Sequence, residues 1–228
     1  MNEVVLVTGG NRGLGKAFVE EALARGARKV YAAARDPKSV TTPGAVPLAL
    51  DVTDPESVRR AAAEAGDVTL VINNAGITAH ASVLHGDLED IRREFETNFY
   101  GPINVTRAFA PVLAANGGGH VLNVHSVLSW ISQGTSYSAG KAALWQATNA
   151  FRLELAAQGT KVTGLHVGYI DTEMAEGVDG PKVSAPDVAR QALDGVAAGA
   201  FEVLADELTR NVKQGLAADP SVLYPQLV

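Results

Sequence analysis

Short apolar runs alternate along the chain with longer stretches in which apolar residues recur every three or four positions. The runs "EVVLVT", "KVYAAA", "AVPLAL", "VTLVIN", "HVLNVHS", "KVTGLHV" and "FEVLA" predict seven strands. Between them, the helical spacing predicts helices over Leu14–Arg25, Pro55–Ala65, Leu88–Ala115, Tyr137–Gln158 and Ala185–Ala198. Three of these helices carry matching end signals: Asp54 ahead of Pro55, Gly26 after Arg25, and Asn116–Gly119 after the longest helix. Strand-helix alternation implies right-handed crossovers and a parallel sheet covered on both faces, and near-continuous apolar runs fit strands buried on both sides. The expected fold class is α/β, a parallel sheet of about seven strands with helices on both faces. With no repeat, low-complexity tract or linker, residues 1–228 read as one domain. The tail from Leu208 to Val228 has no clear pattern.

Composition removes several classes of function. There is no cysteine in the 228 residues, so disulfides, thiolate catalysis and cysteine-ligated metals are excluded, and a reducing compartment is natural. The opening "MNEVVLVTGG" has an acidic start and an apolar run too short for a signal peptide or a membrane span, and the chain reads as cytoplasmic. A net charge of −6 with scattered cations argues against nucleic-acid or anionic-membrane partners. His80, His85, His120, His125 and His166 lack ligand spacing, so no metal site is expected. His125 and His166 fall in strand patterns and are expected to be buried and hydrogen-bonded.

Two stretches carry chemistry. "TGGNRGLG", Thr8–Gly15, follows the first strand and opens the first helix, where glycines let the chain turn tightly and let a phosphate approach backbone amides at a helix N-terminus. A tight turn alone would use the same residues. Further on, Ser126 ends the fifth strand, and Tyr137 and Lys141 stand four apart on a helix, so both can face one cleft. A neighbouring ammonium favours the phenolate, which predicts a lowered Tyr137 pKa. An amphipathic pair with a snorkelling lysine, and a serine serving as a cap, are the plainer readings.

In order, Thr8-Gly9 with Gly13 and Gly15, "NNAG" at Asn73–Gly76 and "YSAGK" at Tyr137–Lys141 resemble the single-domain short-chain dehydrogenase/reductase family over Thr8 to about Thr172. The resemblance implies a single-domain, Rossmann-like, doubly wound parallel sheet, a bound nicotinamide dinucleotide and hydride exchange with a ketone, aldehyde or secondary alcohol. It implies that Tyr137 is the general acid or base, that Ser126 bonds the substrate oxygen, and that Lys141 reaches the nicotinamide ribose. Asn98 in "TNFYG" matches the family asparagine that helps hold a proton-relaying water, although it could instead bond backbone at a helix kink. Ser129 is the rival serine, but the family pattern aligns it with a glycine. The loop from Ser126 to Tyr137 is about two residues shorter than the family's common version.

Dinucleotide residues follow from the same resemblance: Thr8, Gly9, Asn11, Arg12, Gly13, Leu14 and Gly15 in the first loop, then Arg35, Asp51, Val52, Asn74, Ala75, Gly76, Tyr137 and Lys141. In "HVGYIDT", Val167 replaces the usual proline while Gly168, Ile170 and Thr172 remain, implying contact with the carboxamide in a less rigid turn. "EMAEGVDGPKVS" reads as a short mobile lid. Two guanidiniums, Arg12 and Arg35, can fork onto a 2′-phosphate, so NADP is expected over NAD, with Asp36 as the counter-indication. Trp130 is assigned to the substrate pocket and Trp145 to the core. The helices bearing Asn98 and Tyr137 imply a homodimer or homotetramer. The reading is an NADP-dependent reductase of a ketone or aldehyde, with an NAD-dependent alcohol dehydrogenase of the same family as the close rival. A dinucleotide-sensing binder without turnover and a nucleotide-sugar epimerase are further alternatives, the first opposed by the intact tetrad and the second by the short C-terminal region.

Overall fold

The computed structural model describes residues 1–224, so the last four positions of the predicted tail, 225–228, lie outside the described residues. Seven strands form one parallel sheet: β1 (Val4–Thr8), β2 (Lys29–Ala34), β3 (Val46–Ala49), β4 (Leu70–Asn73), β5 (His120–Val124), β6 (Lys161–His166) and β7 (Glu202–Leu204), in the order β3-β2-β1-β4-β5-β6-β7. Alternate residues of each strand feed opposite layers. Val5 and Val7 face α1 (Gly13–Ala24) and α6 (Ala185–Ala198), while Val4 and Leu6 join the layer beneath α2 (Pro55–Glu64) and α4 (Gly101–Ala115). Both faces are dry, which explains unbroken apolar runs where a half-exposed sheet would alternate. The chain order reverses between β1 and β4, and the carboxyl ends of these neighbours open a crevice.

Every predicted strand is present. The predicted helix over Leu88–Ala115 is subdivided: α3 (Leu88–Phe95) passes into a widened π-turn at Glu96–Tyr100 before α4. Such turns cluster at functional positions. α5 runs Ser136–Glu154, and a 3₁₀ turn at Ala156–Gln158 completes the rest of the predicted span. The unpatterned tail folds into α7 (Glu207–Gly215) and a short α8 (Pro220–Leu223). Asp206 and Asp219 cap these two helices, accepting from Thr209 N and Ser221 N.

Candidate active site

The glycine loop is shaped by contacts no side chain could share. A Cβ on Gly15 would lie 1.9 Å from the Gly9 carbonyl oxygen, so the first turn of α1 closes only over glycine. The Thr8 hydroxyl accepts from the amides of Asn74 and Ala75, each at 3.0 Å, and donates to the Ile72 carbonyl at 3.3 Å. Asn74 Nδ2 returns a bond to the Thr8 carbonyl at 2.9 Å. The ends of β1 and β4 are thereby stitched into one floor. Helix α1 starts at Gly13 without a side-chain cap from Arg12. Its first amides are left for another acceptor, which is the chemistry a dinucleotide pyrophosphate requires. Leu14 is buried in the core and offers the floor only its backbone.

Around that floor the other predicted residues are distributed unevenly. Asn11 Nδ2 donates to Ser39 Oγ at 3.1 Å, tying the glycine loop to the segment after β2. Arg35 is exposed there and has no ion pair among the described residues. Asp36 is turned away by its own backbone: its carboxylate accepts from Lys38 N at 3.0 Å and caps a 3₁₀ turn. Arg12 is paired with Glu173 at the start of the predicted lid, so the two guanidiniums are not gathered together. Asp51 folds back on Thr53, accepting from its amide and hydroxyl, and Val52 packs beneath Gly101. These two stand at the β3 end of the crevice, apart from the glycine loop.

The tetrad does converge. Asn98, wholly buried at the centre of the π-turn, holds Ile77 by both backbone groups: Oδ1 accepts from Ile77 N at 2.9 Å and Nδ2 donates to Ile77 O at 2.8 Å. The kink reading of Asn98 is therefore realised, and the bond partner is the loop after β4. Gly76 lies between Asn98 and Lys141; a Cβ there would stand 3.2 Å from Asn98 Oδ1 and 3.9 Å from Lys141 Nζ. Lys141 is buried and donates to the Val124 carbonyl at 2.8 Å, and desolvation lowers its pKa to about 8. Ser126 caps the 3₁₀ turn Val127–Ser129, accepting from Leu128 N at 3.1 Å, while Ser129 Oγ accepts from Ser126 N at 3.3 Å. Ser129 is thus a support behind Ser126. Both the cap reading and proximity to Tyr137 hold for Ser126, because its hydroxyl also draws the phenol pKa downward.

One expectation is reversed. The pKa of Tyr137 is raised well above the ordinary phenol value, chiefly by burial and further by the charge of Glu94, with the Ser126 bond opposing them. Lys141 does not lower it, since Nζ is 5.7 Å from the ring centroid and spends a proton on Val124. The turn after β6 also departs from expectation. Without its proline it is still fixed, because Gly168 N donates to the Asp206 carboxylate and Ile170 bridges Val183 across the base of the lid. Thr172 packs against the glycine loop, where a Cβ on Gly13 would meet its Cγ2 at 3.5 Å.

Behind the site, His125 and His166 are buried and bonded to each other at 3.0 Å, and burial lowers both pKa values, so the pair is neutral. Trp130 stacks on His166 at 4.0 Å and meets Trp145 edge-on at 6.2 Å. A cavity of about 230 Å³, lined by Trp130, Val83, Ile131, Thr135, Ser138 and Tyr224 among others, flanks the first turn of α5. Trp130 is part of its lining, whereas Trp145, expected in the core, is half-buried and donates to Glu202 at 3.2 Å. Among the described residues no group of three or more histidines, aspartates or glutamates could hold a metal ion. Glu94, fully buried beside Tyr137, was missed; in "LEDIRREFETN" nothing distinguishes it from the exposed glutamate at 89.

The geometry agrees with known proteins. Residues 3–182 match the family model for short chain dehydrogenases. The NADPH-dependent 1-acyldihydroxyacetone phosphate reductase of Schizosaccharomyces pombe is 35% identical over 181 residues, which cover 75% of this chain and 60% of that reductase, so the match spans less than two thirds of its length. A short-chain dehydrogenase from Burkholderia cenocepacia, solved with NADP, superposes with a TM-score of 0.94 at 40% identity, covering 100% of this chain and 98% of the other. An NADPH-bound carbonyl reductase from chicken fatty liver gives a TM-score of 0.81 at 27% identity, over 89% of this chain and 98% of its own. With its nucleotide floor, π-turn asparagine and serine, tyrosine and lysine in one cleft, this chain belongs to the short-chain dehydrogenase/reductase family of oxidoreductases.

Proposed function

We propose that this chain is an NADP(H)-dependent reductase that converts a ketone or aldehyde to an alcohol, and in reverse oxidises a secondary alcohol. The observation that carries this reading is that Asn98 and Lys141 meet at Gly76 while the ring of Tyr137 lies 5.7 Å from Lys141 Nζ and its hydroxyl is hydrogen-bonded with Ser126, all at the carboxyl ends of β4 and β5. When bound, the nicotinamide would donate or accept the hydride. Tyr137, held protonated by burial, gives its proton to the oxygen that becomes an alkoxide. Ser126 donates to the same oxygen, and its own oxygen is steadied by Leu128 N. Lys141 carries charge below about pH 8 and has two further N–H bonds to offer the ribose. Asn98 fixes the Ile77 backbone beside Lys141, and its Oδ1 would stand only 3.2 Å from a Cβ at position 76.

The dinucleotide floor comprises Thr8, Gly9, Asn11, Gly13, the Leu14 backbone, Gly15, Asn74 and Ala75, with Asp51 and Val52 at the adenine end and Gly168, Ile170 and Thr172 at the carboxamide end. NADP over NAD is supported by the exposed Arg35, which has no ion pair among the described residues, and by the engagement of one Asp36 carboxylate oxygen with Lys38 N. The NADP-bound Burkholderia relative supports it also. Arg12 would exchange Glu173 for the 2′-phosphate, releasing the lid's first turn. Residues 1–228 would act as one catalytic domain in the cytoplasm, on a small molecule, as a homodimer or homotetramer. No helix among the described residues is long and apolar enough to cross a membrane.

Fluorescence titration with NADPH and NADH tests this reading. NADPH should bind at least about tenfold tighter, a gap of about 1.4 kcal/mol, and Arg35→Ala should close most of that gap. Tighter NADH binding would shift the assignment to NAD, and binding of neither would overturn it.

A further inference from the structure

Glu94 is a carboxylate in a place that ordinarily excludes one. Its exposure is 0%, and no cation lies within ion-pair range of it among the described residues. The nearest arginines in sequence, Arg92 and Arg93, point outward to Glu89 and Asp90. Burying a charge without a counter-ion is costly unless hydrogen bonds hold it. Two do: Oε1 accepts from Ala79 N and Oε2 accepts from the Ser136 hydroxyl. Both carboxyl oxygens are thus engaged, one by the Ile77–Ala79 loop and one by the first residue of α5.

Each partner is part of the site. Ala79 lies two residues past Ile77, which Asn98 grips by its amide and carbonyl. Glu94 near the end of α3 and Asn98 in the π-turn therefore clamp the same loop twice. Ser136 opens α5 and immediately precedes Tyr137, and its own amide is held by the Ala81 carbonyl at 3.0 Å. The groups facing the phenol are Lys141 from α5, Ser126 from the end of β5 and Glu94 from α3. Of these only Glu94 brings negative charge.

We propose that Glu94 is a positioning residue for Tyr137: its buried carboxylate joins the Ile77–Ala79 loop to the first turn of α5 and places a fixed negative charge beside the phenol, so that the proton stays on Tyr137 until substrate oxygen takes it. The charge opposes the pull of Ser126 toward the phenolate, in the same direction as the raised pKa of Tyr137. It thereby keeps Tyr137 in the protonated form from which the reductive direction starts. This inference rests on the proposed role of Tyr137 as the acid.

The test separates field from scaffold and does not depend on turnover alone. Glu94→Gln keeps an acceptor for Ala79 N and a donor toward Ser136, and removes only the charge. Tyr137 ionisation is read as the alkaline difference in tyrosinate absorbance between each protein and its Tyr137→Phe partner. Glu94→Gln should lower the Tyr137 midpoint by at least about one pH unit, and the basic limb of alcohol oxidation should move down with it. Glu94→Met, which removes charge and hydrogen bonds together, should give the same shift. Ser136→Ala, which keeps the charge, should give none. An unmoved tyrosinate midpoint in Glu94→Gln and Glu94→Met overturns the proposal, as does an equal shift in Ser136→Ala. A lowered midpoint in a protein that reduces no carbonyl would leave the electrostatic inference standing and sink the catalytic role of Tyr137 instead.

Discussion

At the scale of single residues, the site works through burial more than through pairing. Lys141 was expected to act on Tyr137 as a neighbouring charge, yet desolvation dominates at both. A one-dimensional spacing shows that two side chains share a face, but not which backbone carbonyl takes the ammonium. Asn98 and Ser126 were legible as members of an ordered set, whereas Glu94 was not, because helical phase around a π-turn cannot be counted in regular steps of 3.6. His120 offers a stability test in the same terms. It is buried, bonds Thr163 Oγ1 at 2.7 Å, and burial lowers its pKa to about 4. The unfolded chain takes the proton near the ordinary histidine value of about 6.5. Stability from this group is therefore complete above that pH and is lost as pH falls toward about 4, by roughly 3 kcal/mol. Chemical denaturation at several pH values should show His120→Gln with a shallower acid decline than the parent. An equal decline would remove His120 as a cause.

At the scale of elements, the strands were readable because both faces of the sheet are buried and each run is apolar throughout. The α3–α4 break was not readable, since the sequence stays helix-compatible through Glu96–Tyr100 and only the Asn98 clamp reveals the widened turn. The turn after β6 shows a related limit. Its missing proline suggested looseness, but the stabilising carboxylate comes from Asp206, 38 residues away. Asp206 does two jobs, capping α7 through Thr209 N at 2.7 Å and holding Gly168 N. Asp206→Ala should cost about 1 kcal/mol as a lost cap and, in addition, raise KM for the dinucleotide more than it lowers kcat. A change in melting temperature with KM unaltered would confine Asp206 to the helix. In the glycine loop, Gly15→Ala must push the Gly9 carbonyl aside to relieve a 1.9 Å contact. Calorimetric titration should find dinucleotide binding lost, and binding at parental strength would contradict the close first turn.

At the scale of the whole molecule, the order β3-β2-β1-β4-β5-β6-β7 puts the glycine loop, the Asn74–Gly76 segment and the Ser126 cap at one edge of the sheet, so chemistry scattered over 165 residues of sequence, Thr8 to Thr172, collects at one crevice. Exposed apolar residues on the flanking helices, Leu88, Tyr100 and Leu153, are 62%, 47% and 81% accessible. The proposed homo-oligomer would cover them. Light scattering should find Leu153→Glu smaller than the parent; a parent that is already monomeric would contradict the oligomer. The central claim, that this fold transfers hydride to a carbonyl with Tyr137 as the acid, is tested most directly by following NADPH absorbance over a panel of ketones and aldehydes. The parent should consume NADPH with at least one of them, and Tyr137→Phe should lose at least about a hundredfold in kcat while binding NADPH as tightly. Turnover by Tyr137→Phe at the parental rate would contradict the account.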